Sequence, residues 1–285
     1  MLVYLSKLVY NTKVVYRINM KIAVVTKPNT ENHKTRLGVI SELENMRGCE
    51  TVVCENADSI PSDADRVLVF GGDGTMLDAV RAVSGSGTAV LGVNLGNLGF
   101  MTSFEQDANP KSVADAILCD EFKCRTLLEV KVDEHAYDAL NEVVVKSEGT
   151  RPISLDVFVD GRFVDSFHSD GIIVSTPAGS TAYSLSAGGP VLAPNVDAFV
   201  INPICAHSLH SRPLVISANS KVSVRVAGDC RATVSVDGYF NGTLEKGGCV
   251  DVRKSERTAK FVDAGDENFY GKLLRKMNRW GTTLR

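Results

Sequence analysis

An apolar run, Val67-Leu68-Val69-Phe70, stops abruptly at Gly71-Gly72-Asp73-Gly74-Thr75 and gives way to a segment with helical spacing. Glycines at a strand-to-helix turn let the backbone approach a ligand, and the helix N-terminus beyond them favours anions, so the segment points to phosphate. With no G-x-x-x-x-G-K-[ST] in the chain, it is not a Walker A loop. Asp73 is the odd member. A carboxylate beside phosphate costs Coulomb energy unless it meets a cation, a hydroxyl or a proton. Phosphoryl transfer is catalysed mainly by positioning and charge stabilisation, and an aspartate can orient an attacking hydroxyl and accept its proton late. The competing reading is that Asp73 caps a helix starting at Thr75 or Met76. Residue types alone leave both open.

A second segment runs Ser169-Asp170-Gly171-Ile172-Ile173-Val174-Ser175-Thr176-Pro177-Ala178-Gly179-Ser180-Thr181-Ala182-Tyr183. A buried strand enters Pro177 and Gly179, and hydroxyls and small residues able to begin a helix follow. Such hydroxyls and freed N–H groups suit the polar edge of a nucleotide, and Tyr183 suits packing on a base or sugar. The plain alternative is a capped helix with Ser180 or Thr181 as N-cap. The nucleophile elbow G-x-S-x-G is missing, so a serine hydrolase is a poor fit. Asn141-Glu142 precedes Val143-Val144-Val145 within a strand expected over 139–146. Neighbours on a strand point to opposite faces, so one of the pair is placed to face a ligand unless both are structural. Cys205, His207 and His210 are spaced too irregularly for a metal site, and His207 reads better as a ligand contact than as a zinc ligand.

These segments need a scaffold. Residues 21–26, 51–54, 66–70 and 89–93 read as strands alternating with helices over 35–47 (Leu37, Ile40 and Leu43 inward), 76–83 (Leu77, Val80 and Val83 inward) and 109–118, where Pro110 suits the first turn. This β-α-β pattern predicts a Rossmann-like α/β domain with a parallel sheet over 20–121. From 122 to 264 the character changes to short β-branched runs at 129–132, 139–146, 155–159, 162–167, 171–175, 221–226, 232–236 and 250–253. Asp160-Gly161 and Asp237-Gly238 supply tight hairpin turns, so this half reads as a β-rich, sandwich-like domain. Phe269, Leu273, Leu274 and Met277 form an apolar stripe on a terminal helix over 268–279, which must dock on the first domain or on another subunit; residues 265–285 are expected to complete the first domain. Residues 1–19 read as a disordered or upstream extension before a start at Met20.

Composition narrows the partners. A formal net charge of −3 and the lack of any lysine- or arginine-rich block make no case for nucleic acid. Lys7, Lys13 and Arg17 interrupt the apolar N-terminal stretch, so neither a membrane span nor a signal peptide is expected there. The seven cysteines lie scattered without a C-x-x-C pair and read as reduced, mostly buried thiols of a cytoplasmic protein. A small molecule is the default ligand.

Taken in order, the segments resemble the NAD kinase family (ATP-NAD kinases) from Met20 to the terminal helix. Gly71-Gly72-Asp73-Gly74-Thr75 looks like its G-G-D-G-T motif and Asn94-Leu95-Gly96, with Leu98-Gly99-Phe100, like its following loop. Asn141-Glu142 is similar to its N-E motif, residues 170–190 to its longest signature, and Ile204-Cys205-Ala206-His207-Ser208-Leu209 with Arg212-Pro213 to the next. The resemblance implies an α/β domain, a β-rich domain and NAD held between them, with the ATP γ-phosphate passing to the 2′-hydroxyl of the adenosine ribose. It makes Asp73 the catalytic group and implies phosphate or substrate contacts from Gly72, Gly74 and Thr75. Phe100 would wall the pocket, and Asn141 and Glu142 would hold adenosine or ribose hydroxyls. Asp170, Thr181, Ala182, Tyr183 and Ser186 would line the nicotinamide and adenine subsites, partly from a neighbouring subunit of a homo-oligomer, a dimer or tetramer. A divalent ion, Mg2+, would arrive on the ATP phosphates, with no protein metal site. The chain departs from the pattern at Ala206 (usually proline), Tyr239 (commonly glutamine) and His168 (frequently arginine), where a histidine would make a phosphate or subunit contact pH-sensitive. A lipid kinase of the diacylglycerol or sphingosine type shares the aspartate-bearing loop, and a non-catalytic NAD-binding sensor would keep the pocket; these are the competing readings.

Overall fold

The computed structural model describes residues 19–96, 99–208, 210–265 and 269–282. Leu98, Leu209 and the expected extension up to residue 18 lie outside them. The chain divides into two compact units, Met1–Cys124 with Ala259–Arg285, and Arg125–Thr258.

The first unit is doubly wound. Its strands β1 (Met20–Thr26), β2 (Cys49–Cys54), β3 (Arg66–Gly71) and β4 (Ala89–Asn94) pair in parallel in the order β2-β1-β3-β4. Every residue of β3 and β4 is buried, as expected of parallel strands covered on both faces. Helices α1 (Lys34–Glu44), α2 (Asp73–Val83) and α3 (Pro110–Ile117) connect or flank them. Pro110 opens α3 behind an Asn109 cap whose side chain accepts from the Lys111 and Ser112 N–H groups. The winding reverses at β1, which lies between β2 and β3, and ligands of such sheets bind at the carboxyl ends of the strands. Gly71 stands at that end of β3.

Two helix faces differ from expectation. In α1 the buried residues are Thr35, Arg36, Val39 and Leu43, while Leu37 is exposed. The Arg36 guanidinium turns inward because the Thr26 hydroxyl (2.9 Å) and the Glu31 carbonyl (2.8 Å) receive it. The larger correction concerns α5 (Phe269–Thr282). Leu274 and Met277 of the expected stripe are exposed, and the inward residues are Phe269, Lys272, Leu273 and Lys276. These fall at i, i+3, i+4 and i+7, one face of a helix. The face is half cationic, and the Lys272 ammonium is buried on the Thr102 carbonyl.

The second unit is a β-sandwich. Its strands are β5 (Phe122–Val132), β6 (His135–Ala139), β7 (Glu142–Ser147), β8 (Ile153–Val159), β9 (Arg162–Ser169), β10 (Gly171–Ser175), β11 (Ala198–Ile204), β12 (Leu214–Ser217), β13 (Val222–Val226), β14 (Ala232–Val236), β15 (Tyr239–Leu244) and β16 (Cys249–Val262). The chain passes between the units within β5 and β16, and Lys260 and Phe261 of β16 pair in parallel with β4. One sheet contains β16-β13-β8-β9 with β5 and β6, the other runs β12-β11-β10-β7-β14-β15. Alternate residues of the two sheets, among them Leu155, Val157, Val224 and Val250 facing Val143, Val145, Val174 and Ile201, form one core. Both Asp-Gly pairs take positive φ and close two-residue hairpins, Val159 to Arg162 and Val236 to Tyr239.

The strand expected over 139–146 is broken at Leu140-Asn141, between β6 and β7. Cysteine burial is also corrected: no disulfide joins the seven cysteines, but Cys54 alone is fully buried, and Cys124 and Cys205 are exposed.

Candidate functional site

The site-forming residues fall into two clusters, one in each unit. In the first, α2 begins at Asp73, earlier than expected, with Gly72 as N-cap and no side-chain cap. Asp73 is therefore not a capping residue. Its carboxylate reaches instead to the loop after β4: Oδ1 accepts the N–H groups of Phe100 and Met101, each at 2.9 Å, and Oδ2 lies 3.0 Å from the Phe100 N–H. Gly99 permits this, since a Cβ there would overlap Oδ1. Oδ2 also faces the Lys276 ammonium at 3.4 Å, and that ammonium sits 4.0 Å from the centre of the Phe100 ring. The Asp73 side chain stays about one-third exposed.

The loop carrying Phe100 is folded back on the sheet. Asn94, fully buried, accepts the Gly96 N–H and donates to Glu105, and the Leu95 N–H bonds the Gly71 carbonyl at 3.1 Å. At the turn, Thr75 packs over Gly71, leaving no room for a Cβ. Gly72 and Gly74 have open space where a side chain would stand. The first N–H groups of α2 have no intrahelical partner, so this turn offers backbone donors and a helix N-terminus to an anion, next to one fixed carboxylate.

In the second cluster, Asp237 organises the end of β7. Its carboxylate accepts the N–H groups of Leu140 (2.7 Å), Asn141 (2.8 Å) and Glu142 (3.1 Å). Capture of three successive donors explains the break between β6 and β7. Asn141 and Glu142 are both buried rather than split between faces. Among the described residues, Asn141 Oδ1 and Glu142 Oε2 are buried without a hydrogen-bond partner. Buried polar atoms of native sites ordinarily have partners, and this pair marks the place where a polar ligand would satisfy them. Burial, aided by the Asp237 charge, pushes the Glu142 carboxyl up to about 8, against the Tyr183 N–H, which favours its ionised form. Glu142 is thus mostly a neutral acid at pH 7, able to donate as well as accept.

The segment after β10 is pinned to the same strand end. The Thr176 hydroxyl donates to the Leu140 carbonyl at 2.5 Å and accepts the Gly179 N–H at 3.0 Å, while the Thr176 N–H bonds the Asn141 carbonyl. Ser180 is buried, bridging the Pro177 carbonyl and the Leu192 N–H. Neither Ser180 nor Thr181 is an N-cap: α4 (Tyr183–Ser186) starts after Ala182, and Thr181 bonds back to Ala178. The ring of Tyr183 and the side chain of Ser186 are exposed, Thr181 and Ala182 half-buried. Asp170, half-buried, precedes β10, its N–H on Ile204. His168 packs edge-on against His207 with ring centres 5.4 Å apart, and its Nδ1 is 3.2 Å from Ser154 Oγ. Among the described residues no three of His, Cys, Asp and Glu converge to hold a metal ion.

Sequence reasoning missed Asp237, Lys272, Lys276 and Met101 as members of these clusters. Asp237 was legible only as a turn residue, and Met101 contributes only its N–H. The lysines carried one signal: with Phe269 and Leu273 they complete a helical face.

A doubly wound sheet whose glycine-rich turn holds a fixed carboxylate marks the first unit as that of a phosphotransferase. Residues 5–122 match the ATP-NAD kinase N-terminal domain and residues 140–264 the ATP-NAD kinase C-terminal domain. The chain is 36% identical over 281 residues to the NAD kinase of Koribacter versatilis, covering 91% of this chain and 98% of that one. It is 40% identical over 230 residues to the NAD kinase of Pseudomonas putida, 77% of each chain. Among solved structures, an NAD kinase from Archaeoglobus fulgidus in complex with ATP superposes with a TM-score of 0.78 at 27% identity, over 91% of this chain and 99% of that one. Yeast NADH kinase complexed with NADH gives 0.78 at 25% identity, over 97% and 92%. The chain belongs to the NAD kinase family.

Proposed function

We propose that the protein transfers the γ-phosphoryl group of ATP to the 2′-hydroxyl of the adenosine ribose of NAD, yielding NADP and ADP. The observation that carries this reading is the Asp73 carboxylate, held by two backbone N–H groups at the carboxyl end of β3 beside an open glycine turn. In the proposed reaction Oδ2 orients the hydroxyl and takes its proton as the new O–P bond forms. The bond from the γ-phosphorus to the bridging oxygen breaks, and ADP leaves with the electron pair. The Gly72 to Thr75 turn receives donor phosphate through backbone N–H groups. Mg2+ enters as part of the donor, bound to its phosphates.

On this reading Asn141 and Glu142 take adenosine or ribose hydroxyls with the polar atoms that otherwise lack partners. Asp170, Thr181, Ala182, Tyr183 and Ser186 border the dinucleotide, with Phe100, His168 and His207 as further contacts. We also propose a homo-oligomer in the cytoplasm; cysteines not joined by disulfides suit a reducing compartment. Among the described residues no helix is long and apolar enough to cross a membrane.

The test mixes purified protein with NAD, ATP and Mg2+ and follows NADP. Folded protein that binds NAD without turnover would support a sensor instead. Phosphorylation of diacylglycerol or sphingosine in place of NAD would support the lipid-kinase reading, which the matches of both halves do not favour.

A further inference from the structure

The first cluster poses an electrostatic problem that the glycine turn does not solve. A carboxylate and a polyphosphate are brought together, and like charges at close range repel strongly where water is partly excluded. The backbone N–H groups of Phe100 and Met101 are spent on Asp73 itself. One cation stands at the same oxygen, Lys276 on α5, with Nζ 3.4 Å from Asp73 Oδ2.

We propose that Lys276 is a phosphate-binding residue of the site, its ammonium moving between Asp73 and the phosphate oxygens of the donor. The inference rests on the phosphotransferase reading above and extends it to a residue on the terminal helix.

Three observations support a role beyond docking the helix. Docking is already supplied by Lys272, buried on the Thr102 carbonyl, and by Phe269, whose ring lies 6.4 Å from that of Phe100. The Lys276 pair is loose for a charge-assisted bond, whose usual separation is about 2.7–2.9 Å, and both side chains retain solvent contact, at 19% and 32% exposure. Such a pair adds little to stability. Finally, Oδ1 is filled by two N–H groups, so a hydroxyl would approach Oδ2, the oxygen beside the ammonium. The phosphorus attacked by that hydroxyl would lie within about 4 Å of the hydroxyl oxygen. A flexible lysine, resting on the Phe100 face at 4.0 Å, can swing that far without moving the helix.

The experiment compares wild-type, Lys276→Met and Lys276→Arg full-length proteins. MgATP affinity is measured by calorimetry, NAD affinity without ATP, melting temperature by calorimetric scan, and NADP formation by steady-state kinetics. We expect Lys276→Met to weaken MgATP binding at least about tenfold and to lower kcat/KM for ATP about a hundredfold, the scale of losing one positioned charge donor. NAD affinity and melting temperature stay unchanged, and Lys276→Arg recovers most of the loss. MgATP affinity equal to wild type, increased activity, or a parallel loss of NAD affinity would overturn the proposal. A wild-type protein that makes no NADP defeats the functional reading instead, and the MgATP affinities still decide the role of Lys276.

Discussion

Asp237 Oδ1 accepts the backbone N–H of Asn141 at 2.8 Å across 96 residues of sequence. The contact joins a hairpin turn of one strand pair to the end of β7, and the same carboxylate holds the N–H groups of Leu140 and Glu142. The backbone that carries the Asn141 and Glu142 side chains is therefore held by a residue of a distant hairpin turn.

Asp237→Ala leaves three N–H donors at the strand end without their acceptor. At about 1 kcal/mol or more for each buried orphan, the variant loses roughly 3 kcal/mol of stability or more. Urea unfolding checks the loss, and NAD affinity should fall with it. Asp237→Asn, which keeps one acceptor oxygen, should lie between.

Asp73→Asn is expected to keep NAD binding and to lower turnover by about a hundredfold or more, the scale of a positioned acid–base group. Parallel measurement of NAD affinity and kcat checks it. Near-wild-type kcat would reduce Asp73 to a scaffold for the Phe100 loop.

Glu142 gives the fold a pH dependence. The unfolded carboxyl ionises near its ordinary 4.5, while the folded one keeps its proton up to about 8. Between those values the folded state binds more protons, so this residue's contribution to stability declines as pH climbs through the window. Glu142→Gln removes the decline. Its melting temperature should match wild type near pH 4.5 and exceed it by roughly 5 °C near pH 8.5, measured by thermal scans across pH.

Gly179→Ala places a Cβ onto the Asn141 carbonyl and 2.7 Å from its Cα. Backbone cannot yield as a side-chain tip can, so a cost of about 2 kcal/mol or more is expected. Because the strain falls on Asn141, NAD affinity should drop further than the loss of folded protein explains. A variant with wild-type affinity and melting temperature would show that the two segments are not packed as tightly as the structure has them.

Local chemistry was enough for much of the architecture. The run Val67-Leu68-Val69-Phe70 before two glycines specifies a buried strand ending in an open turn, because apolar continuity and glycine permissiveness are properties of neighbours in sequence. Asp160-Gly161 and Asp237-Gly238 specify their hairpins for the same reason, and the ordered set of motifs led to the family. Tertiary structure decided which partner each polar group meets. Asp73 reads equally as cap or catalytic group until Phe100 and Met101, some 27 residues away, are seen to hold it. The inward face of α5 differs from the expected stripe of Phe269, Leu273, Leu274 and Met277 because a carbonyl at Thr102 and a carboxylate at Asp73 draw Lys272 and Lys276 inward. Hydrophobic periodicity is written along the chain; the pairing of buried charge with its partner exists only after distant segments have packed together.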